Sequence, residues 1–180
     1  MSVATRPFVF LDRDGTLVRD HGYTHRIEDY ALLPGVVPAL RRLAAAGFGL
    51  AIVTNQSGIG RGLFGLAEYH AFERHLEVDL AARGVHIAAS FFCPHRPEAG
   101  CACRKPAPGL LLRARDVLGA ELGRSFVVGN ALRDVEAGLS AGCAGAVLVG
   151  ASPPAVLAPR VHAAADLAEA AEWLLAERSP

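Results

Sequence analysis

The chain of 180 residues is long enough to bury the core of one domain. Hydrophobic residues make up 52% of it, and its 18 basic and 18 acidic side chains cancel, which argues against nucleic acids or anionic membranes as partners. The apolar run in MSVATRPFVF is too short for a signal peptide, and no segment reaches transmembrane length, so we expect a cytosolic protein with reduced thiols.

Short apolar runs alternate with Ala- and Leu-rich helical patterns along the chain. The predicted strands cover 7–12, 49–55, 86–92, 125–130 and 144–150. The predicted helices cover 34–47, 66–83, 108–118, 131–141 and 164–177, and the Pro- and Ala-rich stretch 151–160 is predicted to be a surface connection. Apolar strands separated by helices are typical of a parallel sheet covered on both faces, so we predict one α/β domain over residues 1–180.

Polar residues gather where the predicted strands end. The segment DRDGT (12–16) follows the first strand, and TNQSG (54–58) follows the second. A Cys/His loop that ends in Arg104 and Lys105 follows the third strand, and Asn130 ends the fourth. Because sheets of this kind bind ligands outside the carboxyl ends of their strands, we predict an active site at this edge.

Asp12 and Asp14 are two carboxylates at the end of an apolar strand. They repel each other unless a cation or a shared proton lies between them, and hard oxygen ligands suit Mg²⁺. One carboxylate could attack a phosphorus while the other transfers protons. The alternative is a turn with two solvated carboxylates.

The segment after the second strand offers groups that suit a phosphate. Thr54 and Asn55 supply a hydroxyl, an amide and backbone N–H groups, although an ordinary strand-to-helix turn has the same composition. Residues 60–65 match G-x-G-x-x-G, but the next strand carries no acid to hold a ribose, so we discount a dinucleotide site. Arg61 remains a candidate for a second anionic group, or is a surface arginine.

Lys105 is the only lysine, against 17 arginines. Its compact ammonium could lie between a nucleophile and a phosphate oxygen, where a planar guanidinium fits less well. The alternative is a solvated lysine.

Three of the four cysteines and a histidine lie within eleven residues, at Cys93, His95, Cys101 and Cys103. Three thiolates and one imidazole are typical of a structural zinc site with no open position. We predict that the metal folds the loop 93–105 and holds Arg104 and Lys105 over the site. Reduced thiols beside an unrelated histidine are the alternative. His21 and His25 could line a substrate pocket or lie on the surface.

These motifs together resemble the haloacid dehalogenase (HAD) phosphatase superfamily, and within it the zinc-containing D,D-heptose 1,7-bisphosphate phosphatase and histidinol-phosphatase group. The resemblance covers roughly residues 7–175. The motifs that carry it are FLDRDGT, GYTHRIEDY, PGV, VTNQSGI-x-RG, CPHRPEAGCACRKP and VVG-x-x-L-x-D.

The resemblance implies a Rossmann-like core with little or no cap domain and a site that uses Mg²⁺. It implies that Asp12 is the nucleophile, that Asp14 is the general acid/base, and that Thr54 and Lys105 stabilise the phosphoryl group. The implied Mg²⁺ ligands are the Asp12 carboxylate, the Asp14 carbonyl and Asn130, with Asp134 close enough to help. The implied substrate-binding residues are Asp20, His21, Gly22, Tyr23, Asn55, Gln56, Ser57 and Arg104, with Arg61 as a further candidate.

The segment HGYTHRIEDY is more similar to the heptose phosphatases than to the histidinol phosphatases. We therefore expect removal of the 7-phosphate from a heptose 1,7-bisphosphate, a step in making nucleotide-activated heptose for surface glycans, with histidinol phosphate as the alternative substrate. Asn130 stands where the group usually has an aspartate, which leaves open a weakly active or non-catalytic binding protein. We expect a monomer that binds a small phosphorylated molecule and neither nucleic acid nor membrane.

Overall fold

Six parallel strands form one sheet within residues 5–150 and 157–177, the part of the chain that the computed structural model describes. The strands are β1 (Phe8–Leu11), β2 (Gly49–Asn55), β3 (Ala89–Cys93), β4 (Phe126–Gly129), β5 (Gly145–Val149) and β6 (Val161–Ala164). Their spatial order is β3-β2-β1-β4-β5-β6. As in a Rossmann-like sheet, the chain adds strands on one side of β1 up to β3 and then crosses to the other side, where β4 pairs with β1. A crevice opens at the carboxyl ends of β1 and β4, where the direction of strand addition reverses.

Helices pack on both faces of this sheet. They are α1 (Val36–Ala45), α2 (Ser57–Gly60), α3 (Leu66–Ala82), α4 (Gly109–Leu118), α5 (Leu132–Ala141) and α6 (Leu167–Glu177). In β1, Phe8 and Phe10 face one apolar cluster, and Val9 and Leu11 face the other. A strand covered on both sides has no polar face, which explains why the strand sequences are continuously apolar.

The predicted elements are present with shifted ends, and the structure adds the short helix α2 and the strand β6. Residues 161–164, VHAA, pair in parallel with β5, in the register Ala146↔Val161, and the predicted last helix begins only at Leu167. Three of the four residues of this edge strand are only partly buried. Ala and His carry little strand preference, so pairing with β5 decides the conformation. The predicted surface connection 151–160 lies for the most part outside the described residues.

The segments 12–35, 56–65 and 94–108 connect the carboxyl ends of β1, β2 and β3 to the next long helices. They carry most of the predicted site residues, and none of the three builds a separate cap domain. No helix in the described ranges is long and apolar enough to cross a membrane.

Candidate active site

The carboxyl ends of β1 and β4 bring the DxDGT segment and Asn130 together. The Asp12 N–H donates to Val128 O over 2.9 Å and joins the two strand ends. Gly15 has a φ of 79°, and a Cβ at this position would overlap the side-chain amide nitrogen of Asn130. A glycine is therefore needed for the loop to lie directly on Asn130.

Lys105 is buried at the centre of the site. Its Nζ lies 2.8 Å from Asp12 Oδ1 and 2.7 Å from Asp134 Oδ1, and it donates to Val53 O over 2.7 Å. Only 2% of the residue is exposed, so the solvated alternative does not describe it. Burial opposes its charge, but the two carboxylates outweigh burial and raise the pKa of Lys105 above its ordinary value.

Asp12 is 5% exposed and lies among other carboxylates. Burial raises the pKa of Asp12 to about 6, with Lys105 opposing this rise and repulsion from Asp134 and Asp14 adding to it. A carboxylate whose charge is disfavoured in this way gains stability from any cation that approaches it. Asp12 therefore has the environment of a metal ligand as well as that of a nucleophile.

Both carboxylate oxygens of Asp134 contact groups in the protein interior. Its Oδ1 contacts Lys105, and its Oδ2 accepts from Ala131 N over 3.0 Å at the start of α5. The residue is fully buried. The structure thus places Asp134 against the lysine and the first turn of the helix, and not at the open side of the cleft.

Two side chains hold Asp14 through three hydrogen bonds. The Arg13 guanidinium donates to both of its oxygens over 3.0 Å, and Gln56 Nε2 donates to Asp14 Oδ2 over 2.8 Å. The same Gln56 nitrogen donates to Thr54 Oγ1 over 2.8 Å. Gln56 therefore links the acid/base candidate Asp14 to the phosphate-binding candidate Thr54.

A polar cleft of about 170 Å³ opens above these groups. It is lined by Asp12, Asp14, Asp20, Tyr23, Thr54, Asn55, Gln56, Ser57, Arg104 and Arg133. Nine of these ten are residues that the sequence predicts. Arg133 was missed, and the only signal for it is its place just before Asp134, at the start of a helix that points its first turn at the site.

Three predicted substrate residues lie outside the lining of this cleft. His21, Gly22 and Arg61 are exposed and are not among the lining residues. Arg61 follows α2, and its backbone N–H bonds back to Ser57 O over 3.0 Å.

The segment 20–25 forms a tight loop at the rim. Asp20 Oδ1 accepts from Gly22 N over 2.8 Å, and both Gly22 and Tyr23 have positive φ, 72° and 61°. His25 Nδ1 lies 2.7 Å from Tyr23 O, and the His25 ring stacks on Phe64 at 4.4 Å. His25 thus supports the strained loop from outside while Tyr23 lines the cleft.

The four zinc-ligand candidates converge. The sulfur atoms of Cys93, Cys101 and Cys103 are 3.3–3.6 Å apart, and His95 Nδ1 lies 3.5 Å from Cys93 Sγ and 3.3 Å from Cys103 Sγ. A tetrahedral site with Zn–S bonds of about 2.3 Å requires S···S separations of about 3.8 Å. The donor set and its spacing fit a four-coordinate zinc ion.

The loop that carries this cluster is joined to the turn after β2. Gln56 N donates to Cys93 O over 2.8 Å, and Gly60 N donates to Pro94 O over 2.9 Å. Arg96 Nε donates to Gly60 O over 2.6 Å. Hydrogen bonds therefore join the Cys/His loop to the turn that carries the phosphate-binding candidates.

Residues 22–142 match the family described as haloacid dehalogenase-like hydrolase, and the chain belongs to this family. It is 41% identical over 167 residues to the D-glycero-beta-D-manno-heptose-1,7-bisphosphate 7-phosphatase of Escherichia coli (strain K12), covering 89% of this chain and 86% of the relative. The enzyme of that name from Yersinia pestis is 39% identical over 176 residues, or 94% of this chain and 89% of the relative.

Among solved structures, the D,D-heptose 1.7-bisphosphate phosphatase from B. bronchiseptica, complexed with magnesium and phosphate, superimposes with a TM-score of 0.85. It is 34% identical, and the match covers 96% of this chain and 99% of that chain. These findings confirm the predicted family and fold class. The protein is a phosphatase.

Proposed function

We propose that the protein removes the 7-phosphate of D-glycero-D-manno-heptose 1,7-bisphosphate in the making of nucleotide-activated heptose for surface glycans, in the cytoplasm. The observation that carries the proposal is the buried Lys105 between Asp12 and Asp134, directly beneath a polar cleft with arginines at its rim. The names of the 39–41% identical relatives support the choice of substrate.

The reaction proceeds in two steps. An Asp12 oxygen forms a bond to phosphorus while the bond from phosphorus to the sugar oxygen breaks, and Asp14 gives its proton to the departing oxygen. Water then attacks the phosphorus of the aspartyl-phosphate and gives a proton to Asp14. The bond between Asp12 and phosphorus breaks, which releases phosphate and restores the Asp12 carboxylate. Lys105 and Thr54 stabilise negative charge on the phosphoryl oxygens in both steps.

Mg²⁺ would be held by the Asp12 carboxylate, the Asp14 backbone carbonyl and Asn130, where it supplies positive charge beside the phosphoryl group. Asn130 Oδ1 is buried without a hydrogen-bond partner among the described residues, as expected for an atom that ligates an ion. Asp134, whose Oδ1 is ion-paired with Lys105 and whose Oδ2 accepts from Ala131 N, supports Lys105 and would not be a direct ligand of the ion.

A structural zinc ion, bound by Cys93, His95, Cys101 and Cys103, holds the loop that delivers Lys105. Four protein ligands leave no position for substrate or water, so this metal takes no part in the chemistry. Its contribution is to the shape of a loop with few apolar residues of its own.

The rim of the cleft favours a bisphosphate over histidinol phosphate. Arg104 and Arg133 add two guanidinium groups to the cleft, and guanidinium groups bind phosphate oxygens through paired hydrogen bonds. A heptose 1,7-bisphosphate carries a second phosphate that can meet them. Histidinol phosphate ends in an imidazole ring at the position far from its phosphate and offers these arginines no second anion.

A weakly active or non-catalytic protein is the second candidate, and Asn130 is the residue that favours it. An amide oxygen coordinates Mg²⁺ without charge, so the ion is bound more weakly than by an aspartate. Because Asp12, Asp14 and Lys105 are all in place, we propose reduced Mg²⁺ affinity and not loss of activity.

The test compares kcat/KM for heptose 1,7-bisphosphate and histidinol phosphate with saturating Mg²⁺. We expect at least a tenfold preference for the heptose, which corresponds to about 1.4 kcal/mol in transition-state binding. Asp12→Asn, purified in parallel, should lack turnover, because a neutral amide cannot form the aspartyl-phosphate. A tenfold preference for histidinol phosphate would overturn the choice of substrate, and equal turnover by Asp12→Asn would overturn the mechanism.

A further inference from the structure

Arg13, which lies between the two catalytic aspartates in the chain, is fully buried. Its Nε and Nη2 donate to the two oxygens of Asp14 over 3.0 Å each, and Nη1 donates to Glu73 Oε2 over 3.2 Å. Nη2 also donates to Thr24 O over 2.6 Å. One guanidinium group therefore joins the acid/base residue to α3 and to the substrate loop.

Aromatic rings and a second carboxylate complete the surroundings of this guanidinium. Its Cζ lies 4.6 Å from the centre of the Phe72 ring and 5.7 Å from that of Tyr69. Glu73 is 5% exposed and lines the wall of a separate surface pocket, away from the cleft. A buried cation requires a counter-ion. Glu73 is that counter-ion for Arg13, so the charge of Asp14 is not needed to balance it.

The contact with Asp14 is thus additional to what burial of Arg13 demands. Two parallel hydrogen bonds from one guanidinium group, a fork, fix the plane of a carboxylate as well as its position. A donor that makes one hydrogen bond, such as a lysine ammonium, does not fix the plane. Proton transfer to a leaving group depends on the direction of the donating oxygen.

We propose that Arg13 is a positioning residue that aims the Asp14 carboxyl group at the leaving oxygen, and that Glu73 is the buried counter-ion that keeps Arg13 in place. This inference rests on the proposed function, because it takes Asp14 as the proton donor. Through Thr24 O, the same guanidinium keeps the loop 20–25 in register with Asp14.

The inference predicts a loss that depends on the leaving group. A sugar or other alkyl oxygen departs only when it receives a proton, whereas p-nitrophenolate departs without one. kcat/KM reports the steps up to departure of the leaving group and is not affected by later hydrolysis of the aspartyl-phosphate. A defect in aiming Asp14 therefore lowers kcat/KM for an alkyl phosphate and spares p-nitrophenyl phosphate.

The experiment measures kcat/KM of Arg13→Lys on both substrates, using heptose 1,7-bisphosphate or histidinol phosphate, whichever the wild type turns over faster, as the alkyl phosphate. Lysine keeps the charge and loses the fork. We expect at least a tenfold loss on the alkyl phosphate and less than a threefold loss on p-nitrophenyl phosphate. Asp14→Asn should show the same pattern, and the double variant should lose no more than Asp14→Asn alone. Tyr69→Phe, which keeps the ring beside Arg13, should leave the ratio unchanged.

Equal losses of Arg13→Lys on the two substrates, or losses that multiply in the double variant, would show a purely structural role and overturn the inference. If Arg13→Lys does not fold by circular dichroism, Glu73→Gln takes its place with the same two criteria. An Asp14→Asn variant that loses both substrates equally would instead refute Asp14 as the proton donor. The failure of the proposed function is therefore distinguishable from the failure of the Arg13 assignment.

Discussion

The side chain of Asn55 forms two hydrogen bonds with the backbone of Lys105. Asn55 Nδ2 donates to Lys105 O over 3.0 Å, and Lys105 N donates to Asn55 Oδ1 over 3.1 Å. The carboxyl end of β2 thereby holds Lys105 at the end of the loop 93–105. The sequence suggests a substrate contact for Asn55, and the structure shows that both polar atoms of its amide are engaged within the protein.

We expect Asn55→Ala to lower kcat by about tenfold to a hundredfold, because Lys105 loses its anchor and small displacements of a catalytic group are costly. KM should change little. Steady-state kinetics on the preferred substrate measure both constants. A raised KM with unchanged kcat would show instead that Asn55 binds substrate.

Arg133→Gln should weaken binding of the second phosphate. We expect KM for heptose 1,7-bisphosphate to rise by roughly fivefold to thirtyfold, or about 1–2 kcal/mol for a charged hydrogen bond at a solvent-accessible site. KM for a heptose monophosphate lacking that group should be unaffected. Arg61→Gln is the matched control, because Arg61 lies outside the cleft lining. Equal effects of the two substitutions would contradict the assignment.

Asp12→Asn should stabilise the metal-free protein in a pH-dependent way. The pKa of Asp12 is raised from 3.8 to about 6, so the folded state binds the extra proton and the ionised carboxylate opposes folding above pH 6. The shift corresponds to at most about 3 kcal/mol in the free energy of unfolding.

Because asparagine is neutral at every pH, the gain should be full above pH 6 and should fade as the pH falls from 6 to 4, where the wild-type aspartate takes up its proton. Urea unfolding with a chelator at pH 7.5 and pH 4.5 measures it. Saturating Mg²⁺ should reduce the gain at pH 7.5 by stabilising the wild type. A gain that grows towards pH 4 would show that Asp12 has a lowered pKa.

Cys101→Ser should remove the zinc ion and loosen the loop 93–105. We expect one zinc per chain in the wild type and close to none in the variant, with lower Tm and lost activity, since the binding free energy of a structural zinc is part of the folding free energy. Elemental analysis of protein purified without added metal decides the stoichiometry. Cys143→Ala is the matched control, because Cys143 is buried outside the cluster. Wild-type protein with free thiols and no zinc would disprove the site.

Asn130→Asp should strengthen Mg²⁺ binding, because it adds a negative charge at an atom that is buried without a partner. We expect half-saturation at lower Mg²⁺ concentration and a higher kcat, both measured by titrating the metal in the phosphatase assay. Asn130→Ala should move both quantities the other way. If Asn130→Asp leaves them unchanged, residue 130 is not a metal ligand.

The sequence alone determined the features that depend on neighbours along the chain. The four zinc-ligand candidates lie within eleven residues, and the carboxylates of the proposed nucleophile and proton donor lie two residues apart, so short motifs indicate their chemistry. The apolar strands and their alternation with helices also indicated the parallel sheet, because a strand buried on both faces must be apolar throughout. The polar residues at the predicted strand ends also indicated the edge of the sheet at which the site lies.

The tertiary structure decided the features that depend on residues far apart in the chain. Lys105 meets Asp12 across 93 positions, and Arg13 meets Glu73 across 60. Neither spacing is visible as a motif, because packing of separate elements, and not local preference, sets which side chains face each other. The same holds for β6, whose short edge strand forms only because β5 offers it a partner. The sequence motifs identify the chemical groups of this site, and tertiary packing determines which groups pair. A charged group is stable in the interior only where an opposite charge lies beside it, and here that charge comes from a residue far away in the chain.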